Sequence, residues 1–314
     1  MQRVFITGGA GFIGRWVVAE CLRRRWKVTV YDNLCAGTMD NLEEFSAEIE
    51  FVRGDVLDQR LLESECARVR PEVVIHLAAL HFIPYCNAHP EETLRVNAEG
   101  TFTVLKAAVA AGAERAVIAS SGIVYPGVDS LLKEEVQVEP PDVYGLSKVL
   151  AENVAEYMGR TTPLACVSAR LFNTYGPFET NPHLIPHIME EVHKGTDIHL
   201  GNIHTKRDYI YVEDTARLLV ECVEAATKAN TIVNVGTGEE YSAEEIVRMT
   251  GEILNQPLQV LSDPARVRSV DKLHQRADIT TLRHLTGAEP RIRLREGLTR
   301  LLQFESLLPS VEAG

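Results

Sequence analysis

The sequence lacks the features that mark several specialised classes of protein. Its six cysteines (Cys21, Cys35, Cys66, Cys86, Cys166 and Cys222) include no C-x-x-C pair and no metal-ligand spacing. We therefore expect reduced, mostly structural thiols and no metal site. No apolar run is long enough to cross a bilayer, and the first predicted strand begins so near Met1 that no signal peptide is expected. These absences predict a cytoplasmic protein.

Positive charge is also in short supply. The 314 residues contain 32 Lys and Arg against 44 Asp and Glu, which gives a formal net charge of −12. Such a chain is a poor partner for nucleic acid or an anionic membrane, and an anionic ligand would need a local cluster of arginines. The length and the ordinary hydrophobic content of 45% predict one large α/β domain with a smaller lobe. We find no internal repeat, linker or low-complexity segment.

The N-terminal residues have the pattern of a dinucleotide-binding unit. An apolar run at residues 4–6 predicts a strand, residues 16–24 an amphipathic helix, and residues 28–31 a second strand that ends on Asp32. Between them lies a glycine turn that fits two frames, one formed by Gly8, Gly11 and Gly14 and the other by Gly9, Gly11 and Gly14. Glycines allow close approach of a pyrophosphate, and the helix N-terminus supplies N–H groups.

The acid after the second strand distinguishes between two cofactors. A carboxylate at Asp32 would accept hydrogen bonds from a ribose diol and repel a 2′-phosphate, so the sequence predicts NAD and disfavours NADP. Glycine turns also serve ordinary strand–helix packing, but here the strand, helix and acid are all present. Further along, Asp55 follows a predicted strand at residues 49–53, where it could accept a hydrogen bond from the adenine amino group or cap the helix predicted at 57–67.

The regular alternation of strands and helices continues to about residue 170. Strands are predicted at 73–79, 116–119 and 164–170, and helices at 97–111 and 144–157. We interpret His76 as a core residue and residues 81–89 as a loop that borders the substrate. Later elements include helices at 184–194, 215–226 and 243–254, the last with Ser242 as N-cap, and strands at 207–214 and 233–238.

Three residues are predicted to carry the chemistry. Ser121 ends the predicted fifth strand, and Tyr144 and Lys148 are four residues apart on one face of the following helix. A tyrosine is a poor base at neutral pH unless its pKa is lowered, which a nearby ammonium and a cationic nicotinamide can do. Ser121 would relay the proton of a substrate hydroxyl, and Lys148 would also hold the nicotinamide ribose. A Tyr-x-x-x-Lys pair alone is common, so the prediction rests on the combination with the first βαβ unit.

Four arginines are the candidates to neutralise a diphosphate. Arg266, Arg268 and Arg276 lie in a stretch of irregular pattern, and Arg207 precedes a short predicted strand. Each of Arg266, Arg268 and Arg276 taken alone is better explained as part of a solvated basic loop. Together they stand out against the acidic composition.

These residues resemble the extended short-chain dehydrogenase/reductase family, within it the NAD-dependent nucleotide-sugar epimerase/dehydratase group. The resemblance rests on TGGAGFIG from Thr7, Asp32, residues 54–56, 76–79 and 144–148, Asn97, Ser120-Ser121 before Val124-Tyr125, and the stretches 170–177 and 207–216. It implies a Rossmann-type doubly wound parallel sheet with a smaller C-terminal α/β substrate lobe. The implied division is an NAD-binding domain at 1–173, onto which 207–236 packs, and a nucleotide-sugar lobe at 174–206 and 237–314.

The resemblance also implies ligands and partners. A nucleotide sugar would bind between the two parts, Phe172 would pack beside the nicotinamide, and Asn173 and Arg207 would hold the diphosphate. A homodimer would form through the helices that follow Asn97 and Tyr144. With the motifs above, the expected site comprises catalytic residues Ser121, Tyr144 and Lys148; cofactor-binding residues Gly8, Gly11, Phe12, Ile13, Gly14, Asp32, Asn33, Asp55, Val56, Leu77, Ala78, Ala79, Asn97, Ser120, Tyr144, Lys148 and Phe172; and substrate-binding residues His81, Ser121, Tyr144, Asn173, Leu184, Arg207, Arg266 and Arg268.

The residues after Ser121 bear on the type of reaction. In dehydratases and decarboxylases of the resembling group, the catalytic hydroxyl residue is followed within two positions by Asp or Glu, whereas here Gly122 and Ile123 follow. Since neither can take a proton, the sequence favours 4-epimerisation of a UDP-sugar. The alternatives are a dehydratase or decarboxylase that recruits Cys86, His81 or Glu179, and a catalytically idle NAD-binding regulator.

Overall fold

The centre of the molecule is a seven-stranded sheet in which all strands are parallel. The computed structural model describes residues 1–127, 130–227, 230–263 and 272–309. The described strands are β1 (Arg3–Thr7), β2 (Lys27–Asp32), β3 (Ile49–Arg53), β4 (Val73–His76), β5 (Arg115–Ser121), β6 (Leu131–Leu132), β7 (Ala165–Leu171), β8 (Asn173–Tyr175), β9 (Asp197–Leu200), β10 (Lys206–Arg207), β11 (Tyr209–Tyr211), β12 (Asn230–Val235), β13 (Tyr241–Ser242), β14 (Gln259–Ser262) and β15 (Arg276–Ala277). The central order is β12-β7-β5-β4-β1-β2-β3, which confirms the predicted doubly wound α/β fold. The order reverses between β1 and β4, where such sheets form a crevice beyond their carboxyl ends.

Helices cover both faces of this sheet. The described helices are α1 (Phe12–Arg23), α2 (Gln59–Val69), α3 (Ile83–Ala88), α4 (Pro90–Leu94), α5 (Gly100–Ala110), α6 (Val143–Thr161), α7 (Leu184–Lys194), α8 (Val212–Glu224), α9 (Ala243–Leu254), α10 (Thr280–Thr286) and α11 (Leu294–Phe304). Because side chains alternate along a strand, Val4 and Ile6 pack toward α1 and α8, whereas Phe5 packs toward α2, α5 and α6. The sheet is buried on both faces, as its continuous apolar runs predict.

A third apolar cluster lies in the C-terminal half, apart from the two that enclose the sheet. It joins residues of β8, α7, α9 and α11, among them Tyr175, Ile188, Ile246 and Leu298. The Ser242 N-cap of α9 is confirmed, since its side chain and that of Glu245 form a reciprocal capping box. The segment from β11 to β12 returns to the main sheet: α8 packs on α1, and β12 pairs with β7.

Some predicted elements differ from the structure. Residues 81–89 are not a loop throughout, because α3 occupies Ile83–Ala88; Pro84 is accepted in its first turn, where an N–H would have no helical partner. The helix predicted at 97–111 begins only at Gly100 and follows a π-helical turn at Arg95–Glu99. The strand predicted at 207–214 is split by buried Asp208 into β10 and β11, and its last three residues already belong to α8.

Candidate active site

A large cavity extends from the glycine turn across the carboxyl ends of the parallel strands to the C-terminal part of the chain. Its volume is about 1770 Å³, whereas a cavity for one small ligand is typically ~300–1,000 Å³. It therefore has room for two ligands end to end. The predicted residues that line it are Gly8, Gly11, Phe12, Ile13, Gly14, Asp32, Asn33, Asp55, Val56, Leu77, Ala78, Ala79, His81, Ser120, Ser121, Tyr144, Lys148, Phe172, Asn173, Leu184 and Arg207.

The glycine turn at one end of the cavity follows the frame of Gly8, Gly11 and Gly14. All three line the cavity, whereas a Cβ on Gly9 would meet the Val30 side chain at 2.8 Å on the other side of the turn. Gly8 has a φ of +75°, and a Cβ there would lie 2.6 Å from the backbone nitrogen of Ala78. Only glycine suits this position, and the turn borders the cavity.

Two carboxylates line the same end of the cavity. The Asp32 carboxylate accepts hydrogen bonds from the backbone N–H of Ala10 (3.0 Å) and of Leu34 (2.8 Å), which fix its orientation. Burial raises the pKa of Asp32.

The second carboxylate, Asp55, does not cap a helix. It accepts from the Asn33 side chain and from the Leu57 N–H, both at 2.9 Å. The N-cap of α2 is Asp58, which accepts from Leu61, so the capping alternative for Asp55 is wrong.

Ser121, Tyr144 and Lys148 meet at the centre of the cavity, where β5 ends and α6 begins. Asp142 caps α6 by accepting from the Gly145 N–H at 2.8 Å, and this places Tyr144 in the first helical turn. The Ser121 hydroxyl accepts from the Ile123 N–H at 3.2 Å, and Ser121 lies close enough to Tyr144 to lower its pKa. Lys148 donates to the Ala119 carbonyl at 2.8 Å, and its Nζ lies 5.7 Å from the centre of the Tyr144 ring.

The ionisation of this group is governed mainly by burial. Burial raises the pKa of Tyr144 to about 12, and the hydrogen bond from Ser121 offsets only part of that rise. Burial lowers the pKa of Lys148 to about 8. Besides burial, the groups that act on the Tyr144 pKa are Ser121, which lowers it, and Cys86 and Asp142, which raise it, so the pKa stays above its ordinary value. The second positive charge that the sequence analysis invoked, a cationic nicotinamide, is needed to favour the phenolate.

A buried charged group lies directly behind this site and was not predicted from the sequence. Glu152 accepts from the Ser120 hydroxyl at 2.5 Å and from two nitrogens of Arg170, each at 2.8 Å. Both charged side chains are almost completely buried. They tie α6, β5 and β7 together one helical turn after Lys148. The feature of the sequence that could have revealed Glu152 is its position four residues after Lys148, on the same face of the helix.

Asn97 does not line the cavity, although the sequence predicted that it binds the cofactor. Its amide exchanges two hydrogen bonds of 2.8 Å with the backbone of Leu80 and donates a third to Ser147 at 2.8 Å. Buried His76 bonds Thr7 and Thr101, and burial lowers its pKa to about 3. Both are structural supports, as the sequence predicted for His76.

The far wall of the cavity carries polar residues from the 176–183 loop. Asn181 lies 2.8 Å from the His81 ring across the cavity, and His183 lies 2.6 Å from Glu179. The second carboxylate oxygen of Glu179 is buried and has no hydrogen-bond partner among the described residues. Burial raises the pKa of Glu179, and burial together with the charge of His183 lowers that of His81.

The diphosphate candidates are only partly brought together. The Arg207 guanidinium donates to the carbonyls of Lys206 (2.8 Å) and Lys272 (2.7 Å) in the cavity wall. Arg276 pairs with Leu131 in a short sheet and does not line the cavity. Arg266 and Arg268 lie outside the described residues. Gln275 and Lys272, which the sequence did not single out, also line the cavity.

This site fits a dinucleotide. The cavity beside the glycine turn, the N-terminus of α1 and the fixed Asp32 carboxylate suit the pyrophosphate and a ribose diol. Lys148 and Tyr144 lie where the second ribose and nicotinamide would reach. Among the described residues no helix is long and apolar enough to cross a membrane, and no group of His, Cys, Asp and Glu could hold a metal ion.

Residues 4–236 match the NAD dependent epimerase/dehydratase family, and the chain belongs to that family. A UDP-glucose 4-epimerase of Mycolicibacterium smegmatis is 30% identical over 312 residues, 96% of this chain and 98% of that protein. A dTDP-glucose 4,6-dehydratase of Streptomyces niveus is 29% identical over 318 residues, 96% of this chain and 92% of that protein. The crystal structure of a Thermus thermophilus UDP-glucose 4-epimerase in complex with NAD covers 97% of this chain and 99% of its own, with a TM-score of 0.87 and 30% identity.

These findings confirm the family resemblance and the cofactor. The protein is an NAD-dependent enzyme of the group that contains nucleotide-sugar epimerases and dehydratases.

Proposed function

We propose that the enzyme epimerises a UDP-sugar at C4 through a transient 4-keto sugar. The observation that carries the proposal is the group formed by Ser121, Tyr144 and Lys148, next to a turn that bears no acid. Gly122 and Ile123 occupy that turn, and their carbonyls accept hydrogen bonds from Gln275 and Lys272. The chemistry that elimination requires at this point is therefore missing, whereas epimerisation needs no group beyond the three.

Each residue has a defined task in this reaction. Bound NAD supplies a hydride acceptor and donor, held by the Gly8–Gly11–Gly14 turn, Asp32 and Lys148. The Tyr144 oxygen takes the proton of the sugar 4-hydroxyl and later returns it, while the Ser121 hydroxyl holds the same oxygen. The Lys148 ammonium opposes protonation of Tyr144. The wide cavity lets the keto sugar present its other face, and Arg207 and Asn173 hold the diphosphate meanwhile.

The test is proton NMR of the enzyme with a panel of UDP-sugars in deuterated water. We expect inversion at C4 with no deuterium in the ring, because the hydride returns to the carbon that it left. Deuterium at C5 or C6 with loss of water, or loss of CO₂ from a uronic acid, would overturn the proposal. The panel includes UDP-glucose, UDP-N-acetylglucosamine, UDP-glucuronate and a UDP-pentose.

One observation favours the dehydratase or decarboxylase alternative. The buried Glu179 carboxyl next to His183 is a candidate acid or base in the wall of the same cavity. Cys86 is a weaker candidate, since burial raises the pKa of its thiol. An idle regulator has no need of the intact Ser121, Tyr144 and Lys148, and absorbance near the reduced-nicotinamide band after addition of UDP-sugars distinguishes it from an enzyme.

We also propose a homodimer that forms through α5 and α6. Four large apolar side chains on these two helices are exposed: Phe102, Leu146, Leu150 and Tyr157 at 40, 42, 37 and 51%. The last three repeat at helical spacing on α6 and form one stripe. The domain division at residues 173 and 206 and the cytoplasmic location stay predictions.

A further inference from the structure

Residues 272–275 join two parts of the active site that are far apart in the sequence. We propose that this segment, here called the bridging segment, couples binding of the nucleotide diphosphate at Arg207 to the position of Ser121, with Lys272 and Gln275 as positioning residues. The inference rests on the proposed function, in which Arg207 holds the diphosphate.

On one side the bridging segment holds the strand that carries Arg207. The Arg207 guanidinium donates to the Lys272 carbonyl at 2.7 Å. The backbone N–H groups on either side of Arg207 donate to the same segment, Lys206 to Leu273 at 2.8 Å and Asp208 to Gln275 at 2.9 Å. A displacement of Arg207 toward an anion therefore moves the bridging segment or breaks these bonds.

On the other side the same segment holds the turn after Ser121. The Gln275 amide donates to the Gly122 carbonyl at 2.6 Å. The Lys272 ammonium donates to the carbonyl of Ile123 at 3.0 Å and to that of Tyr125. Gln275 is buried, so its bond is shielded from competing water.

The turn at residues 122–125 fixes the hydroxyl of Ser121. The Ile123 N–H donates to the Ser121 hydroxyl oxygen at 3.2 Å, and Ser121 lies beside Tyr144, whose pKa it lowers. The contacts form an unbroken series from Arg207 through Lys272 and Ile123 to Ser121. Spatial continuity alone does not measure coupling, so the test must measure a response at one end to a ligand at the other.

The backbone next to Arg207 is held firmly in place. A displacement of the Arg207 side chain is therefore passed to the bridging segment and not absorbed by the strand. Buried Asp208 accepts hydrogen bonds from the N–H groups of Thr237 and Gly238, each at 2.8 Å, and of Ala277 at 3.2 Å. Since Ala277 follows the bridging segment by two residues, both the strand that carries Arg207 and the end of the segment are anchored to one carboxylate.

The experiment is hydrogen exchange of the NAD-loaded enzyme with and without UDP, a probe that needs no turnover. In the wild type we expect UDP to slow exchange of the amides of residues 122–125. In a Lys272→Met, Gln275→Ala double variant, UDP should still bind, as measured by calorimetry, but this slowing should be lost. With UDP-sugar, kcat should fall by at least ~10-fold while KM stays nearly constant, because a misplaced Ser121 affects the reacting geometry and not the nucleotide.

Two matched variants complete the test. Leu273→Ala alters a side chain that is 68% exposed between the two positioning residues, and it should keep the response to UDP. Lys272→Arg keeps a cationic donor at this position and should also keep the response to UDP. This variant can be measured even if the double variant is unstable. A UDP response that persists at residues 122–125 in the double variant, or in each of Lys272→Met and Gln275→Ala made alone, would overturn the coupling. A wild type that does not bind UDP would instead refute the proposed substrate class.

Discussion

Tyr144 shows how far one residue depends on its surroundings. Burial raises its pKa to about 12, so it is a poor base until positive charge enters the site. The Lys148 ammonium is fixed on the Ala119 carbonyl, and a cationic nicotinamide is the other source of charge. Proton abstraction is thereby linked to the presence of the oxidised cofactor.

Replacing Tyr144 by Phe should lower kcat by at least ~10²-fold, because the proton of the sugar 4-hydroxyl loses its acceptor. The loss is measured by NMR-monitored turnover, together with the NAD content of the purified protein, which should not change. Tyr157→Phe on the same helix removes the hydroxyl of a side chain that is 51% exposed and should leave turnover as it is. Near wild-type activity of Tyr144→Phe would remove the assigned role.

The alkaline limb of the pH profile should belong to Lys148. Burial lowers its pKa from 10.5 to about 8, so the ammonium is present below that pH and is lost as the pH rises through it. We expect kcat/KM to fall above about pH 8. Lys148→Arg, whose guanidinium stays charged, should lack this limb even if its overall rate is lower. An alkaline limb that is unchanged in the variant would mean that another group titrates.

At the scale of elements, the buried Glu152–Arg170 pair joins α6 to β7 and, through Ser120, to β5. Each partner is costly to bury alone, so the pair fixes the register of α6 against the sheet and with it the depth of Tyr144 and Lys148. The Arg170 guanidinium also lies 4.7 Å from the centre of the Tyr125 ring.

Glu152→Gln should lower the free energy of unfolding by ~3–5 kcal/mol, because it leaves the Arg170 charge buried without its counter-ion. Urea unfolding followed by circular dichroism measures the change. The control is Glu156→Gln on the same helix, since the Arg160–Glu156 pair is 64% and 56% exposed and such pairs contribute ~0–1 kcal/mol. Equal effects of the two substitutions would contradict the structural role of Glu152.

At the scale of the whole molecule, the exposed apolar side chains of α5 and α6 predict a homodimer. Leu146→Glu with Leu150→Glu should convert a dimer into a monomer, because four charges would meet across a two-fold axis. Light scattering coupled to size-exclusion chromatography measures the mass. Met39→Glu changes a side chain of similar exposure, 41%, away from the stripe and should leave the dimer intact. A monomeric wild type would refute the assembly outright.

The sequence alone determined the doubly wound sheet and the cofactor, and it predicted Ser121, Tyr144 and Lys148 as the residues that carry the chemistry, because each of these is encoded locally. Gly8 to Gly14, Asp32 and the i, i+4 spacing of Tyr144 and Lys148 report short-range geometry that the printed order of residues contains. The same holds for the Ser242 N-cap of α9. Local pattern did not reveal α3 within residues 81–89, since a helix of six residues owes its stability to packing and not to periodicity.

Only the tertiary structure decided what depends on contacts between distant residues. In the structure the glycine turn follows the frame of Gly8 and not that of Gly9, and Asn97 does not line the cavity. Glu152 contacts Arg170 and Ser120. The structure also showed that burial raises the pKa of Tyr144, where the neighbouring ammonium suggested a lower one. The physical reason is the same in each case: burial and hydrogen-bond partners are set by which surfaces meet, and a change of hydration can outweigh a neighbouring charge that the sequence makes visible.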